Sequence, residues 1–296
     1  MTQVRYWQAG RFRIDLARPQ VMGIVNVTPD SFSDGGTWTD VQSAIQHCEQ
    51  LVRDGADILD LGGESTRPGA ARLSVDEEWA RLAPVLPAAL SLGVPVSVDT
   101  CKTEVMRRAL DLGVDIINDV QALRDEGAEA LLAQHPAAGV CLMHMRGEPA
   151  AMQQLTDYQD VTREVLEFLA QRAQAVVALG VSPARIVLDP GYGFAKTMAQ
   201  NFELQRRQGE LLALGFPLLV GWSRKSSLGA LTGRAVDERL PASLAAALAA
   251  LTHGARVLRV HDVAATVDAL KVWAACGGAG YALSENGGTN SGGRAR

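Results

Sequence analysis

The sequence predicts a (β/α)8 TIM barrel, an all-parallel α/β fold, with a short hairpin in front of it and a disordered tail behind. Three observations carry that expectation. Eight short aliphatic runs alternate with stretches of helical length, the pattern of parallel strands joined by crossover helices. The runs are apolar at successive positions, as strands buried on both faces are. Nearly every run ends in a polar side chain followed by a polar or glycine-rich loop, which is where such barrels place their chemistry. Residues 57–70, DILDLGGESTRPGA, show the format most fully: an aliphatic run broken by one aspartate, a Gly-Gly stop, and a loop of reactive side chains.

Taken in order, residues 3–15 alternate about Gly10 and predict a hairpin that plugs one end of the barrel. The first core strand is expected at 21–27, followed by the long loop TPDSFSDGGTWTD and a helix at 41–53 closed by Gly55. Then come a strand at 58–62, a helix at 75–90, a strand at 94–99, a helix at 102–110, a strand at 115–119 and a helix at 126–134. A strand at 139–143 leads through the long connection 146–159 to a helix at 161–179, closed by Gly180. A strand at 185–189 meets the glycine-rich loop DPGYGFAKT. A helix at 200–214, a strand at 217–221, helical stretches within 225–252, a strand at 256–260 and a helix at 263–275 complete the set. The expected organisation is one domain over 1–283 and a Gly/Ser/Asn-rich flexible tail over 284–296. The segment PASLAAALAAL at 241–251 has no polar face. Tight packing on its own barrel and a homodimer interface explain that equally well.

With 296 residues, 47% of them hydrophobic and 21% charged, the chain can bury one sizeable core. A net charge of −5 argues against nucleic acid or an anionic membrane as partner. The four cysteines, Cys48, Cys101, Cys141 and Cys276, are scattered and read as reduced thiols rather than a zinc site. No apolar leader opens the sequence, and no uncharged run reaches the roughly 20 residues of a membrane span. A cytoplasmic protein is expected.

The strand ends carry Asn26, Glu64 to Arg67, Asp99, Asn118 and Asp119, Met143 and His144, Asp189, Ser223 to Lys225, Arg259 and His261. So many charged and amide groups around one mouth point to a polar ligand with several hydrogen-bonding edges. Arg259 and His261 are two apart and share a face. They form an anion clamp if the histidine is protonated, or if it donates from its ring nitrogen. The helix that follows Ser223 offers free backbone amides to the same anion. Arg224 reads as a solvated surface charge. Asn26, beside a phosphate site, has the oxygen to ligate magnesium, although a hydrogen bond to a neighbouring strand end also accounts for it. His144 faces away from the mouth and reads as structural, as do His47, His135 and His253. Asp60 and Lys196 stay open.

In order along the barrel, the motifs MGIVNVTPDSFSDGG at 22–36, LDLGGESTRPGA at 59–70, VSVDT at 96–100 and INDV at 117–120 resemble those of the dihydropteroate synthase family. LMHM at 142–145, DPGYGFAK at 189–196, GWSRKS at 221–226 and RVHDV at 259–263 continue the resemblance. That family joins a dihydropterin hydroxymethyl pyrophosphate to p-aminobenzoate and releases pyrophosphate. The resemblance implies that Asn26 binds magnesium and the diphosphate. It implies that Asp99, Asn118, Asp189 and Lys225 hold the pterin, with Met143 and Gly221 shaping the pocket. Arg259 would stack on the pterin and bind the diphosphate with His261 and Arg67. Thr66, Pro68, Phe194, Lys225 and Ser226 would form the aminobenzoate site. Asp99, Lys225, Arg259 and His261 would be the catalytic set. Two positions depart from the family pattern, Ala195 where glycine is expected and Gln121 where serine is.

The chemistry that follows needs no nucleophilic side chain and no covalent enzyme intermediate. The electron-rich dihydropterin shares the positive charge left as the pyrophosphate departs, and the neutral amine attacks. Two rivals remain: a methyltetrahydrofolate:corrinoid methyltransferase, which has no diphosphate to bind, and a non-catalytic pterin-binding paralogue. The loops at 28–39 and 64–73 have few apolar residues to pack and are expected to be mobile in the free protein, closing over the diphosphate.

Overall fold

The computed structural model describes residues 5–27, 36–65, 72–148 and 152–278, with backbone alone at 36–40 and 153. The tail expected at 284–296 lies outside the described residues. Strands β1 (Tyr6–Ala9) and β2 (Phe12–Asp15) form an antiparallel pair. Eight parallel strands then close a barrel: β3 (Gln20–Asn26), β4 (Ile58–Gly62), β5 (Val96–Asp99), β6 (Ile116–Asp119), β7 (Gly139–Met143), β8 (Ile186–Asp189), β9 (Leu218–Val220) and β10 (Ala255–Val260), which returns to pair with β3. The (β/α)8 expectation holds.

The helices are α1 (Gly36–Arg53), α2 (Val75–Leu82), α3 (Leu86–Leu90), α4 (Thr103–Asp111), α5 (Ala128–Gln134), α6 (Val161–Ala178), α7 (Met198–Arg206), α8 (Ser226–Thr232), α9 (Leu240–Thr252) and α10 (Val263–Ala275). The helix expected at 75–90 is two helices. Pro84 has no N–H to carry the first one on, and Pro87 opens the second, where its missing donor costs nothing. The helix expected at 200–214 starts earlier, on a capping box between Thr197 and Gln200, and gives way to a 3-10 stretch at Gln208–Leu214. The helix expected at 41–53 begins at Gly36, so the connection before it is 28–35, outside the described residues. Strands expected at 94 and 217 start later, at Val96 and Leu218, beyond Pro95 and Pro217.

Three apolar clusters result: the smallest, of Val120, Met143, Met145, Met152, Phe194 and Ala195, lies at the C-terminal mouth, and the other two make the body of the fold. The larger lies between strands and helices. The smaller fills the N-terminal end of the barrel, where Met22, Ile58, Ile116, Cys141, Val187 and Leu219 pack on the hairpin residues Trp7, Ala9 and Ile14. Trp7 is fully buried and its indole N–H donates to the carbonyl of Arg185 at 2.9 Å. The hairpin is the plug the sequence predicts. Helix α9 buries Ser243, Ala247, Ala250 and Leu251 and packs on α8, α10 and β10. No helix among the described residues is long and apolar enough to cross a membrane.

Candidate active site

The C-terminal end of the barrel is built the opposite way. Asp99 ends β5 and Asn118 stands beside it in register on β6. Asp60 lies two residues before Gly62 on β4, on the same face and one layer deeper. From β10, Arg259 reaches over β3 to both carboxylates. Its Nε donates to Asp60 Oδ2 at 2.6 Å and its Nη2 to Asp99 Oδ2 at 2.7 Å. Asn118 Nδ2 donates to the same Asp60 oxygen at 3.1 Å. Asp60 has no exposed surface, and Arg259 is 21% exposed. The other oxygens, Asp60 Oδ1 and Asp99 Oδ1, are buried with no partner among the described residues.

Burial pushes the Asp99 carboxyl up to about 7, against the pull of Arg259. Burial also works to lower the Arg259 guanidinium, but Asp60 and Asp99 outweigh it and hold the group as a cation. Opposite, Asp189 ends β8 in register with Met143, and its Oδ1 accepts the N–H of Gly191 at 2.7 Å. Burial raises Asp189 to about 6. Lys225, which follows β9 and caps α8, has its Nζ 4.1 Å from the centre of the Phe194 ring. Burial, and then the charge of Arg259, lower Lys225 to about 8. Gly221 follows β9 directly, and a side chain there would touch Cβ of Arg259 at 3.9 Å. Ser226 is the exposed first residue of α8.

At His261 the surroundings favour the second of the two forms of the clamp. Burial, with Arg259 beside it, lowers its pKa to about 3, so it is not a second cation in the free protein. Its Nδ1 lies 3.0 Å from Ser223 Oγ, which accepts the His261 backbone N–H at 3.2 Å. When the serine hydroxyl donates to Nδ1, Nε2 keeps its proton, which leaves the neutral-donor form of the clamp. Arg224 is not merely solvated either. It pairs with Asp262 through Nη2 at 2.6 Å and Nε at 3.1 Å.

Thr66, Arg67 and Pro68 lie outside the described residues. Asn26 ends β3 in register with Gly62, at the same mouth. Among the described residues no three His, Cys, Asp or Glu side chains gather as a metal-holding group. Magnesium with one protein amide, water and diphosphate oxygens needs no such group, so the residues present fit that mode of binding.

Sequence reasoning passed over one buried cluster and left the centre of another open. Lys102, 8% exposed, pairs with both Glu64 and Glu78, and Glu64 also accepts the N–H of Leu73 at 3.1 Å. Lys196, left open above, is 3% exposed and bonds His144 and two carbonyls. His144 itself packs against Phe168 and Tyr158, away from the mouth. An aspartate inside the run ILDLG was the available signal for Asp60, because a buried charge needs a partner. The two departures also find a physical setting. Ala195 has φ of +50°, where glycine is unstrained, and Gln121 uses its backbone N–H, which donates to Asp119 Oδ1 at 2.7 Å.

Known proteins share this chain's sequence and shape. The family of pterin binding enzymes matches residues 22–261. The dihydropteroate synthase of Neisseria meningitidis serogroup B is 56% identical over 277 residues, 92% of this chain and 97% of that one. The Xanthomonas albilineans dihydropteroate synthase solved with 4-aminobenzoic acid superposes with a TM-score of 0.87 at 48% identity, covering 93% of this chain and 99% of that one. The same enzyme solved with 7,8-dihydropteroate gives 0.84 at 45%, covering 92% and 98%. Barrel, strand-end chemistry and relatives agree, and the chain belongs to the dihydropteroate synthase family of pterin-binding enzymes.

Proposed function

We propose that this mouth condenses 6-hydroxymethyl-7,8-dihydropterin pyrophosphate with p-aminobenzoate, giving 7,8-dihydropteroate and pyrophosphate. The observation that carries the reading is the arginine shared by two carboxylates beside an amide, facing a third carboxylate and a lysine. Asp99, Asn118 and Asp189 offer the acceptors and donor that an amino-pyrimidinone edge needs, with Met143 and Gly221 setting the walls. Asp60 Oδ1 and Asp99 Oδ1, buried with no partner among the described residues, are acceptors that a ligand's N–H groups could use.

Arg259 stacks on the pterin and binds the diphosphate, joined by neutral His261 and by Arg67. Its Nη1 has no partner among the described residues, so it can take an anion without abandoning Asp60. Lys225 lies between the two substrates. With Phe194, Ser226, Thr66 and Pro68 it forms the amine site. Magnesium held by Asn26 and the diphosphate would supply charge neutralisation to the leaving group. As the C–O bond breaks, the positive charge spreads into the dihydropterin ring, where Asp99 offers negative charge. The amine nitrogen then forms the new C–N bond and loses its proton, and no enzyme side chain is alkylated. We read the chain as a cytoplasmic homodimer joined through the small-residue face of α9, a state that light scattering on the purified protein tests.

The decisive experiment is release of pyrophosphate from the pterin substrate with and without p-aminobenzoate. Release and dihydropteroate formation that both require the amine support the reaction. No turnover with both substrates and magnesium present would overturn it.

A further inference from the structure

Lys196 has no role in that reaction, yet it is among the most deeply buried charged residues described, at 3% exposure. Its Nζ lies 2.9 Å from the carbonyl oxygen of Gly191, 3.0 Å from that of Phe194 and 3.0 Å from His144 Nδ1. Three ammonium hydrogens meet three acceptors, and none of the three is a carboxylate. Burying an amine among neutral partners costs stability that a methionine in the same slot would not. Burial accordingly lowers its pKa to about 7. The three bonds are what the position gains in return.

Two of them run back into the loop that leaves β8, and the third crosses to the residue after β7. Gly191 can lie there because it lacks a side chain: a Cβ would stand 2.1 Å from the carbonyl oxygen of His144. Ala195 turns the chain at φ +50° and brings Lys196 beneath its own loop. The Phe194 N–H also donates to the Gly191 carbonyl, at 3.1 Å. Lys196 thus pins the carbonyls on either side of Tyr192 and Gly193, and the Phe194 ring leaves directly from a pinned peptide to meet Lys225. Asp189 meets the same loop through the Gly191 N–H that its Oδ1 accepts, but its own backbone is held by the sheet rather than by Lys196. It stands in register with Met143, and its carbonyl accepts the His144 N–H at 2.9 Å.

We propose that Lys196 is a positioning residue for the amine side of the site: acting through the carbonyls of Gly191 and Phe194 and through His144, it holds the Phe194 ring against Lys225 without touching either substrate. This rests on the assignment of Phe194 and Lys225 to p-aminobenzoate. The consequence is a split between substrates. Loss of Lys196 loosens the amine site more than the pterin site, because Asp189, although it bonds Gly191 and lies near the Lys196 charge, is anchored on a strand end.

The test uses the full chain and the variants Lys196→Met, of similar volume without N–H donors, and Lys196→Gln, which restores two donors. Steady-state KM for p-aminobenzoate and calorimetric Kd for a pterin analogue are measured on each. Lys196→Met should raise the amine KM about tenfold and leave the pterin Kd within about twofold, with Lys196→Gln between it and wild type. Equal weakening of both substrates would reduce Lys196 to a structural residue, and an unchanged amine KM would remove it altogether. If the methionine variant does not fold, His144→Phe, which keeps the ring packing and deletes one acceptor, must show the same split or the proposal fails. Phe194→Leu checks the underlying assignment separately: an unchanged amine KM there moves the amine site elsewhere, whatever Lys196 does.

Discussion

The two ends of this barrel are made of the same eight strands and solve opposite problems. At the N-terminal end the hairpin lays Trp7, Ala9 and Ile14 onto a layer of aliphatic side chains, and the Trp7 indole N–H is satisfied by a carbonyl. At the C-terminal end, Asp60, Asp99, Asn118 and Arg259 crowd together, and two carboxylate oxygens have no partner among the described residues. One end holds the fold closed, and the other keeps buried polar groups in readiness. The difference teaches that stability and chemistry here are separable by position along a strand, often by only two or three residues.

The largest expected effect breaks the chemical end. Arg259→Ala removes the one cation shared by Asp60 and Asp99, and kcat/KM should fall by about a thousandfold. His261→Ala should cost far less, because the ring is neutral in the free protein. The double variant should fall little below Arg259→Ala alone, since both residues serve one leaving group. A full product of the two losses, measured by steady-state kinetics, would separate them.

Next comes the plug. Trp7→Ala should lower unfolding free energy by about 3–5 kcal/mol. Denaturant titration reads that loss, and both KM values should stay at wild-type levels. A change in pterin affinity would show that the two ends are coupled.

Asp189→Asn should do opposite things to binding and to stability. Losing a charge-assisted acceptor should weaken a pterin analogue by about 1.5–3 kcal/mol in calorimetry. The folded pKa of Asp189 is raised from 3.8 to about 6, so the folded state binds more protons than the unfolded one in that interval. Its stabilising contribution is therefore full below 3.8 and lost as pH rises through about 6. At pH above that window the buried carboxylate is a net cost to the free protein. Asp189→Asn should then melt higher than wild type, with the gain disappearing in acid. A lower melting temperature at neutral pH would contradict the assigned direction.

The smallest effect is Ala195→Gly. Relief of a left-handed alanine is worth about 1 kcal/mol, partly offset by the entropy of glycine. Thermal melts should show a small rise or no change. A clear fall would mean that the Ala195 methyl has a packing role.

These contrasts also mark what was legible in the sequence. The barrel strands could be read because a run such as ILDLG or VSVD has no other way to hide its aliphatic side chains. Polar residues at the strand ends stood out for the same reason. Helix limits were read less well where Pro84 split one helix and where the segment at 208–214 tightened into a 3-10 stretch. Pairing was least legible. Arg259 and Asp60 are 199 residues apart in sequence, and only closure of the barrel brings them to 2.6 Å. The neutrality of His261 likewise follows from burial and from Arg259, which a motif does not record. The Lys196 bonds depend on a left-handed turn at Ala195 that sequence propensity argues against.

The shared oxygen of Asp60 has an evolutionary consequence. Asp60 Oδ2 receives both Arg259 and Asn118, so no single substitution at any of the three leaves the others with a complete set of partners. A lineage that alters Asp60 or Arg259 first must cross an intermediate with a stranded amide or charge in a closed interior, whereas a change at Asn118 leaves the Asp60–Arg259 pair in place. Asp60 and Arg259 should therefore drift together or not at all, with Asn118 freer than either. Among related chains, variants at Asp60 should arrive together with changes at Arg259 and Asn118, while Asn118 can change alone and the exposed turns around the same mouth vary one residue at a time.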